Sequence, residues 1–217
     1  MSSRDPQPVA LEERSAEAAR LSSPSAGRNK AIIAETLAGL LPQHARVLEI
    51  ASGTGEHALA CVSMRPDLFW APSDPDPGSR NSADAWALEA GGRIAACRAI
   101  DVTATNWADD LGDFDAVFCA NMIHIAPWGA AEGLFSGAAL LLGAGGALHL
   151  YGPFREGSQT ARSNLEFDAS LKARDPRWGV RARADVETLA RRCGFEPAGR
   201  IEMPANNLLL SFEKARS

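Results

Sequence analysis

The chain has 217 residues, 46% of them hydrophobic and 23% charged, with a formal net charge of -5. That size fits one α/β domain with its own core, and the acidic balance excludes general affinity for nucleic acid, which needs a basic face. The four cysteines, Cys61, Cys97, Cys119 and Cys193, form no CxxC pair, which excludes the usual zinc and thiol-redox motifs and leaves no metal site to expect.

Residues 1–27 are rich in Ser, Pro, Ala and charge. A mobile segment with a short helix over residues 12–21 is expected there, ahead of a domain over 28–217. No secretory leader is legible and no apolar run reaches 18 residues, so the expected setting is the reducing cytoplasm, away from membranes. From 29 to 41 the positions Ile32, Ile33, Leu37, Leu40 and Leu41 recur at helical spacing, and Pro42 ends the helix.

The body then alternates. Arg46 to Ile50 is a β-rich run, followed by a glycine loop and a helix over 56–64. A second strand over 68–71 runs into the turn-rich Pro72-Ser73-Asp74-Pro75-Asp76-Pro77-Gly78, and a helix over 79–89 follows. Third, fourth and fifth strands are predicted over 93–100, 114–120 and 146–151, with a long helix after Pro127. Helices over 164–173 and 185–193 come next, with Gly194 as the stop. The runs 195–203 and 207–213 have no helix between them and predict a hairpin whose last strand enters the sheet antiparallel. The reading is a Rossmann-like α/β fold: a seven-stranded mixed sheet with helices on both faces.

The loop Ala51-Ser52-Gly53-Thr54-Gly55 joins a strand to a helix at the carboxyl end of the sheet, where open α/β folds bind ligands. Glycine there permits a tight turn and close approach of backbone N–H groups. Two cofactor classes compete. Gly53 to Ala58 also satisfies G-x-G-x-x-G/A, with Asp74 near the spacing expected for NAD. Glu49 favours S-adenosylmethionine (SAM): a carboxylate beside the loop repels a diphosphate but attracts an ammonium and a sulfonium. The length leaves no room for a separate substrate domain, and the antiparallel hairpin suits a methyltransferase sheet.

The run Val-Leu-Glu-Ile-Ala-Ser-Gly-Thr-Gly-Glu-His over 47–57 resembles motif I of class I SAM-dependent methyltransferases, and the likeness extends from about residue 28 to 213. Together with Pro-Ser-Asp-Pro-Asp and Asn-Met-Ile-His-Ile-Ala-Pro-Trp, it resembles more narrowly a methyltransferase-like family known mainly as a domain of unknown function. The resemblance implies a SAM site formed by Glu49, Ala51, Ser52, Gly53 and Gly55. It also implies a ribose grip by Asp74, with Asp76 as substitute and an Asx turn as the rival role. Asp101 and Val102 match the adenine-reading pair. Arg28 and Asn29 open a helix that can close over the methionyl end. Asn121, ending the fourth strand, is expected to face the cofactor. Ala51 stands where the motif usually has its first glycine, so ordinary backbone angles and a less sharp turn are expected.

Methyl transfer from a sulfonium is an in-line displacement, for which positioning supplies most of the acceleration. His124 and Tyr151 are the catalytic candidates: His124 as a base near neutral pH, Tyr151 to orient the acceptor. A hydrogen-bonded packing role is the rival for each. Trp128 and His57 read as packing residues, and 152–163 reads as either a lid or a solvated connection. The expected acceptor is a small molecule or a protein side chain, with oligomeric state open. The alternatives are an NAD(P)-binding oxidoreductase and a non-catalytic module that binds SAM or a partner.

Overall fold

The computed structural model describes residues 13–17 and 19–216. The chain divides into two compact units at the Asp101–Val102 junction, and each is described by itself.

The first unit opens on two short antiparallel strands, β1 (Ser15–Glu17) and β2 (Arg20–Ser22). The helix predicted over 12–21 is therefore a strand pair where it is described; residues 1–12 lie outside the described residues. The pair is pinned from outside: the Leu21 N–H donates to Ser82 Oγ at 2.8 Å, and Trp86 Nε1 donates to the Leu21 carbonyl at 3.0 Å. Helix α1 (Pro24–Leu40) starts inside the segment expected to be mobile. Ser23 caps it by accepting from the Ala26 N–H, and Pro24 occupies the first turn, where its missing N–H costs nothing. Strand β3 (Arg46–Ile50) follows, with Val47, Leu48, Glu49 and Ile50 all buried. Continuous burial is the mark of a parallel strand covered on both faces. It pairs parallel with β4 (Phe69–Ser73), Val47 opposite Trp70 and Ile50 opposite Ser73. Helix α2 (Glu56–Met64) lies between them in sequence and packs on α1. Helix α3 (Pro77–Ala87) begins with Pro77 and is capped by Asp76, whose Oδ2 accepts from the Ser79 N–H at 2.7 Å.

The third predicted strand does not form a continuous ladder. Residues 93–98 run beside β4, and only the bridges Trp70↔Ile94 and Ser73↔Arg98 form. One more residue separates the bridged positions on this segment than on β4. The physical reason lies in both partners. Pro72 has no N–H to donate, and the Cys97 N–H is diverted to Asp84 Oδ1 at 2.7 Å.

The second unit holds β5 (Phe114–Ala120), α4 (Trp128–Leu141), β6 (Leu142–Pro153), α5 (Arg162–Arg174), α6 (Arg183–Arg192), β7 (Phe195–Met203) and β8 (Asn207–Lys214). Strand β6 pairs parallel with β5 and antiparallel with β8, which pairs antiparallel with β7. The C-terminal hairpin thus has the expected form. Its core centres on Phe135 of α4, which meets Phe195 and Phe212 edge-on, ring centroids 5.9 and 5.4 Å away. Such edge contacts add roughly 0.5–1.5 kcal/mol each to the burial itself. Within the segment 152–163, read as either a lid or a solvated connection, Gly152 and Pro153 end β6, and a short 3-10 turn occupies Gly157–Gln159.

The fold class is mixed α/β, with six strands in the mixed sheet and a separate two-stranded antiparallel sheet. Six replace the expected seven because 93–98 is broken. No helix among the described residues is long and apolar enough to cross a membrane.

Candidate functional site

The site begins with a buried carboxylate. Val47 and Glu49 share a face of β3, since strand side chains alternate, and Trp70 stands opposite Val47 on β4. This diagonal lets Trp70 Nε1 donate to Glu49 Oε2 at 2.9 Å. Glu49 is 1% exposed. Burial pushes its carboxyl up to about 7, against the stabilising hydrogen bonds from Trp70 and Ser52, with the charge of Asp74 adding to the rise. His57, in the first turn of α2, brings Nδ1 within 3.7 Å of Glu49 Oε1, and its Nε2 meets Asn29 Oδ1 at 2.9 Å. Burial pushes the His57 imidazole down to about 4, so it is neutral at physiological pH.

Above Glu49 the chain turns sharply. Ala51 has φ +57°, in the left-handed region, so the expectation of ordinary angles there is corrected. The turn keeps the shape a glycine gives it, and the alanine methyl carries roughly 1–2 kcal/mol of strain. What holds it is the Ser52–Ser73 junction: the Ser52 N–H donates to the Ser73 carbonyl at 2.9 Å, and the Ser73 N–H to Ser52 Oγ at 3.1 Å. Gly55 has φ +89°, and a Cβ there would lie 2.5 Å from Ala83 Cα. Both conditions require glycine. Gly55 caps α2 without any side-chain acceptor. Next to it, Glu56 accepts from the Ser23 N–H, Lys30 Nζ and Thr54 Oγ1. Burial opposes its ionisation, but those three donors prevail and hold its pKa below the ordinary value.

Asp74 closes the loop from the next strand end. Its Oδ2 accepts from the Gly53 N–H and its Oδ1 from the Asp76 N–H, both at 2.9 Å. It therefore forms the Asx turn and also ties β4 to the glycine loop. Each oxygen keeps a second lone pair. Burial raises its pKa, against the two backbone donors, and the nearby Arg14 charge lowers it. Asp76 is committed to capping α3.

The structure thus brings together Glu49, Ala51, Ser52, Gly53, Gly55 and Asp74, and links Asn29 to them through His57. Arg28 lies on the exposed side of α1, and Asp101, the last residue of this unit, is also exposed. Sequence reasoning missed Trp70, Glu56 and the bridging role of His57. A tryptophan in a fully buried strand was the available signal, because its N–H needs an acceptor.

In the second unit, Val102 is buried at the start. Asn121 directly follows β5 at φ +62°, a conformation that asparagine tolerates, and its N–H donates to the Tyr151 carbonyl at 2.8 Å. Tyr151 is 4% exposed on β6. His124 is 1% exposed, packs edge-on to Phe154, and accepts from the Arg181 N–H at Nδ1, 3.2 Å away. With Nδ1 accepting, the proton sits on Nε2, which has no hydrogen-bond partner among the described residues. Burial, then the Arg181 charge, pushes the ring down to about 3. The arrangement gives a neutral donor where the sequence suggested a base. A Cβ on Gly152 would lie 2.7 Å from that Nε2 and 3.2 Å from Asn121 Oδ1, so the absence of a side chain at 152 leaves both polar atoms room. Trp128, at the start of α4, lies under the Arg181 guanidinium, 5.6 Å from its ring centroid. Among the described residues, no group of three or more His, Cys, Asp or Glu could hold a metal ion.

Solved structures share this fold. An O-methyltransferase family protein from Burkholderia thailandensis superposes with a TM-score of 0.75 at 17% identity, over 89% of this chain and 57% of that one. The S-adenosylmethionine-dependent methyltransferase SibL in its apo form gives 0.73 at 22%, over 88% and 56%. CalO1, a methyltransferase in calicheamicin biosynthesis solved in its SAH-bound form, gives 0.74 at 15%, over 88% and 54%. This chain therefore spans little more than half the length of each. What these structures share with the chain is the fold. The chain belongs to the family described as "Protein of unknown function (DUF938)", whose model matches residues 20–214.

Proposed function

We propose that the protein is a SAM-dependent methyltransferase acting on a small-molecule acceptor, the class of chemistry named for the solved structures that share its fold. The observation that carries this reading is Glu49: a carboxylate buried beneath a glycine loop, its pKa raised to about 7, is an acceptor waiting for a cation. SAM supplies a methyl group on a sulfonium, together with an ammonium and a ribose diol. Glu49 suits the ammonium. The spare lone pairs of Asp74 suit the diol, and hydrogen bonds to charged groups contribute roughly 1.5–3 kcal/mol each. The backbone of Ala51, Ser52, Gly53 and Gly55 lets the ligand approach without side-chain obstruction. The same carboxylates oppose a diphosphate, which disfavours NAD.

For the remaining parts of the ligand, Arg28 and Asn29 are proposed at the methionyl end, Asp101 and Val102 at the adenine, and Asn121 at the cofactor's reactive end. On the acceptor side, the neutral Nε2–H of His124 is proposed to hold an acceptor oxygen by donating to it, and the Tyr151 hydroxyl to orient it. Neither side chain takes a proton in this reading: an acceptor that reacts as its anion has none to lose, and a neutral acceptor releases its proton to solvent as the methyl group is transferred.

Titration calorimetry with SAM, S-adenosylhomocysteine, NAD and NADP tests the cofactor. SAM and S-adenosylhomocysteine are expected to bind, and Asp74→Ala to weaken both about tenfold or more. Binding of NAD alone overturns the reading. Transfer of a labelled methyl group to a small-molecule extract tests the activity.

A further inference from the structure

Arginines of the second unit differ in how their charge is met. Arg162, Arg177, Arg183, Arg191 and Arg200 each pair with a carboxylate. Arg155, Arg181 and Arg192 do not pair with one among the described residues, and these three line one surface cavity of about 380 Å³. Its wall also includes Trp128, Thr188 and Asp185, the only acidic residue there. Three guanidinium groups against one carboxylate leave a formal excess of two positive charges.

Two of the arginines are held in place by backbone carbonyls. Arg155 Nε donates to the Val180 carbonyl at 2.9 Å, and its two terminal nitrogens meet no acceptor among the described residues. Arg181 Nε donates to the Ile123 carbonyl at 2.8 Å, and Nη2 to the carbonyls of Ala126 and Arg177 at 2.6 and 3.0 Å, which among the described residues leaves Nη1. Neutral carbonyls orient these groups without cancelling their charge. Burial lowers the Arg181 guanidinium below its ordinary value; the charge of Asp168 opposes that shift, and the like charge of Arg155 adds to it.

We propose that this cavity binds a dianionic phosphoryl group, as carried by a phosphate monoester, through the forks of Arg155 and Arg192 and the free Nη1 of Arg181. A phosphate monoester carries about -1.5 to -2 at neutral pH and offers three acceptor oxygens, which matches the excess charge and the fork geometry. A carboxylate, with one charge, leaves the site unbalanced. The Trp128 ring gives an aromatic body a surface beside the anion. This inference concerns the second unit alone and does not rest on the methyltransferase reading.

The test is titration calorimetry of the full-length protein with phenyl phosphate, using benzoate as the monoanionic comparison. Phenyl phosphate is expected to bind saturably below about 1 mM, and benzoate about tenfold more weakly. Arg155→Gln and Arg192→Gln each weaken phenyl phosphate about fivefold or more, and Asp185→Asn strengthens it severalfold. Arg192 and Asp185 are exposed, so those two variants decide the matter if Arg155→Gln fails to fold. No saturable binding of phenyl phosphate, equal binding of benzoate, or affinities unchanged in the Arg192 and Asp185 variants each overturns the proposal.

Discussion

Trp70 donates its indole N–H to Glu49 from the neighbouring parallel strand, at 2.9 Å, and so fixes a buried carboxylate beneath the glycine loop. The bond favours the ionised form, yet burial outweighs it, and the carboxyl titrates at about 7. Glu49 therefore responds to pH near neutrality.

The sign of that response follows from linkage. The folded-state pKa lies above the ordinary glutamate value of 4.5, so the stabilising contribution is fully present below about 4.5 and is lost as pH rises through 7. The full swing is on the order of 3 kcal/mol. The melting temperature of the wild type, relative to Glu49→Gln, is expected to fall as pH rises from 5 to 8. A constant difference across that range, measured by scanning calorimetry, contradicts the assignment. A cation bound beside Glu49 favours the ionised form, so SAM affinity is expected to rise between pH 5.5 and 7.5 in the wild type and to stay flat in Glu49→Gln.

Ala51 at φ +57° leads to a second expectation. Replacing it by glycine relieves roughly 1–2 kcal/mol of strain and adds roughly 0.4–1 kcal/mol of unfolded-state freedom. Ala51→Gly is thus stabilising by about 0.5–1 kcal/mol, or about 2 °C in melting temperature for a chain this long. A loss of stability places the strain elsewhere.

Gly55 behaves in the opposite way. A methyl group there meets Ala83 Cα at 2.5 Å with φ fixed at +89°, so Gly55→Ala must shift α3 or α2. Destabilisation of at least about 2 kcal/mol in denaturant melts is expected. A change under 0.5 kcal/mol means that the two helices yield easily.

His124 is expected to stay neutral, with its proton on Nε2, from pH 5 to pH 8. Long-range proton–nitrogen NMR reads the tautomer directly. A titration midpoint near 6.5 contradicts the buried, Arg181-facing environment and restores a role as base.

The sequence carried much of this architecture. Strands β5 and β7 begin and end where composition and flanking turns place them: β5 is a short apolar run buried over 116–119, and β7 alternates toward one less exposed face. The loop from Ala51 to Gly55 and its partner Asp74 were legible as a motif. Three features were not. The 93–98 segment has strand composition, but the missing Pro72 N–H and the pull of Asp84 on Cys97 act from other parts of the chain. The 15–22 pair has little pattern of its own and is fixed by contacts with Ser82 and Trp86 on α3. The environment of His124 depends on Arg181, 57 residues later, which no local spacing reveals.

The breaks in the strands have one more consequence. On its side away from β3, β4 meets only the kinked 93–98 segment and carries Pro72. Strand β7, outermost in the second unit's sheet, carries Pro197 and a register shift before Gly199. A foreign chain adds to a sheet by zipping onto an uninterrupted row of backbone donors and acceptors. Neither strand offers such a row. The irregularities that spoil the ideal fold thus guard it against the intermolecular strand pairing that begins amyloid-like aggregation.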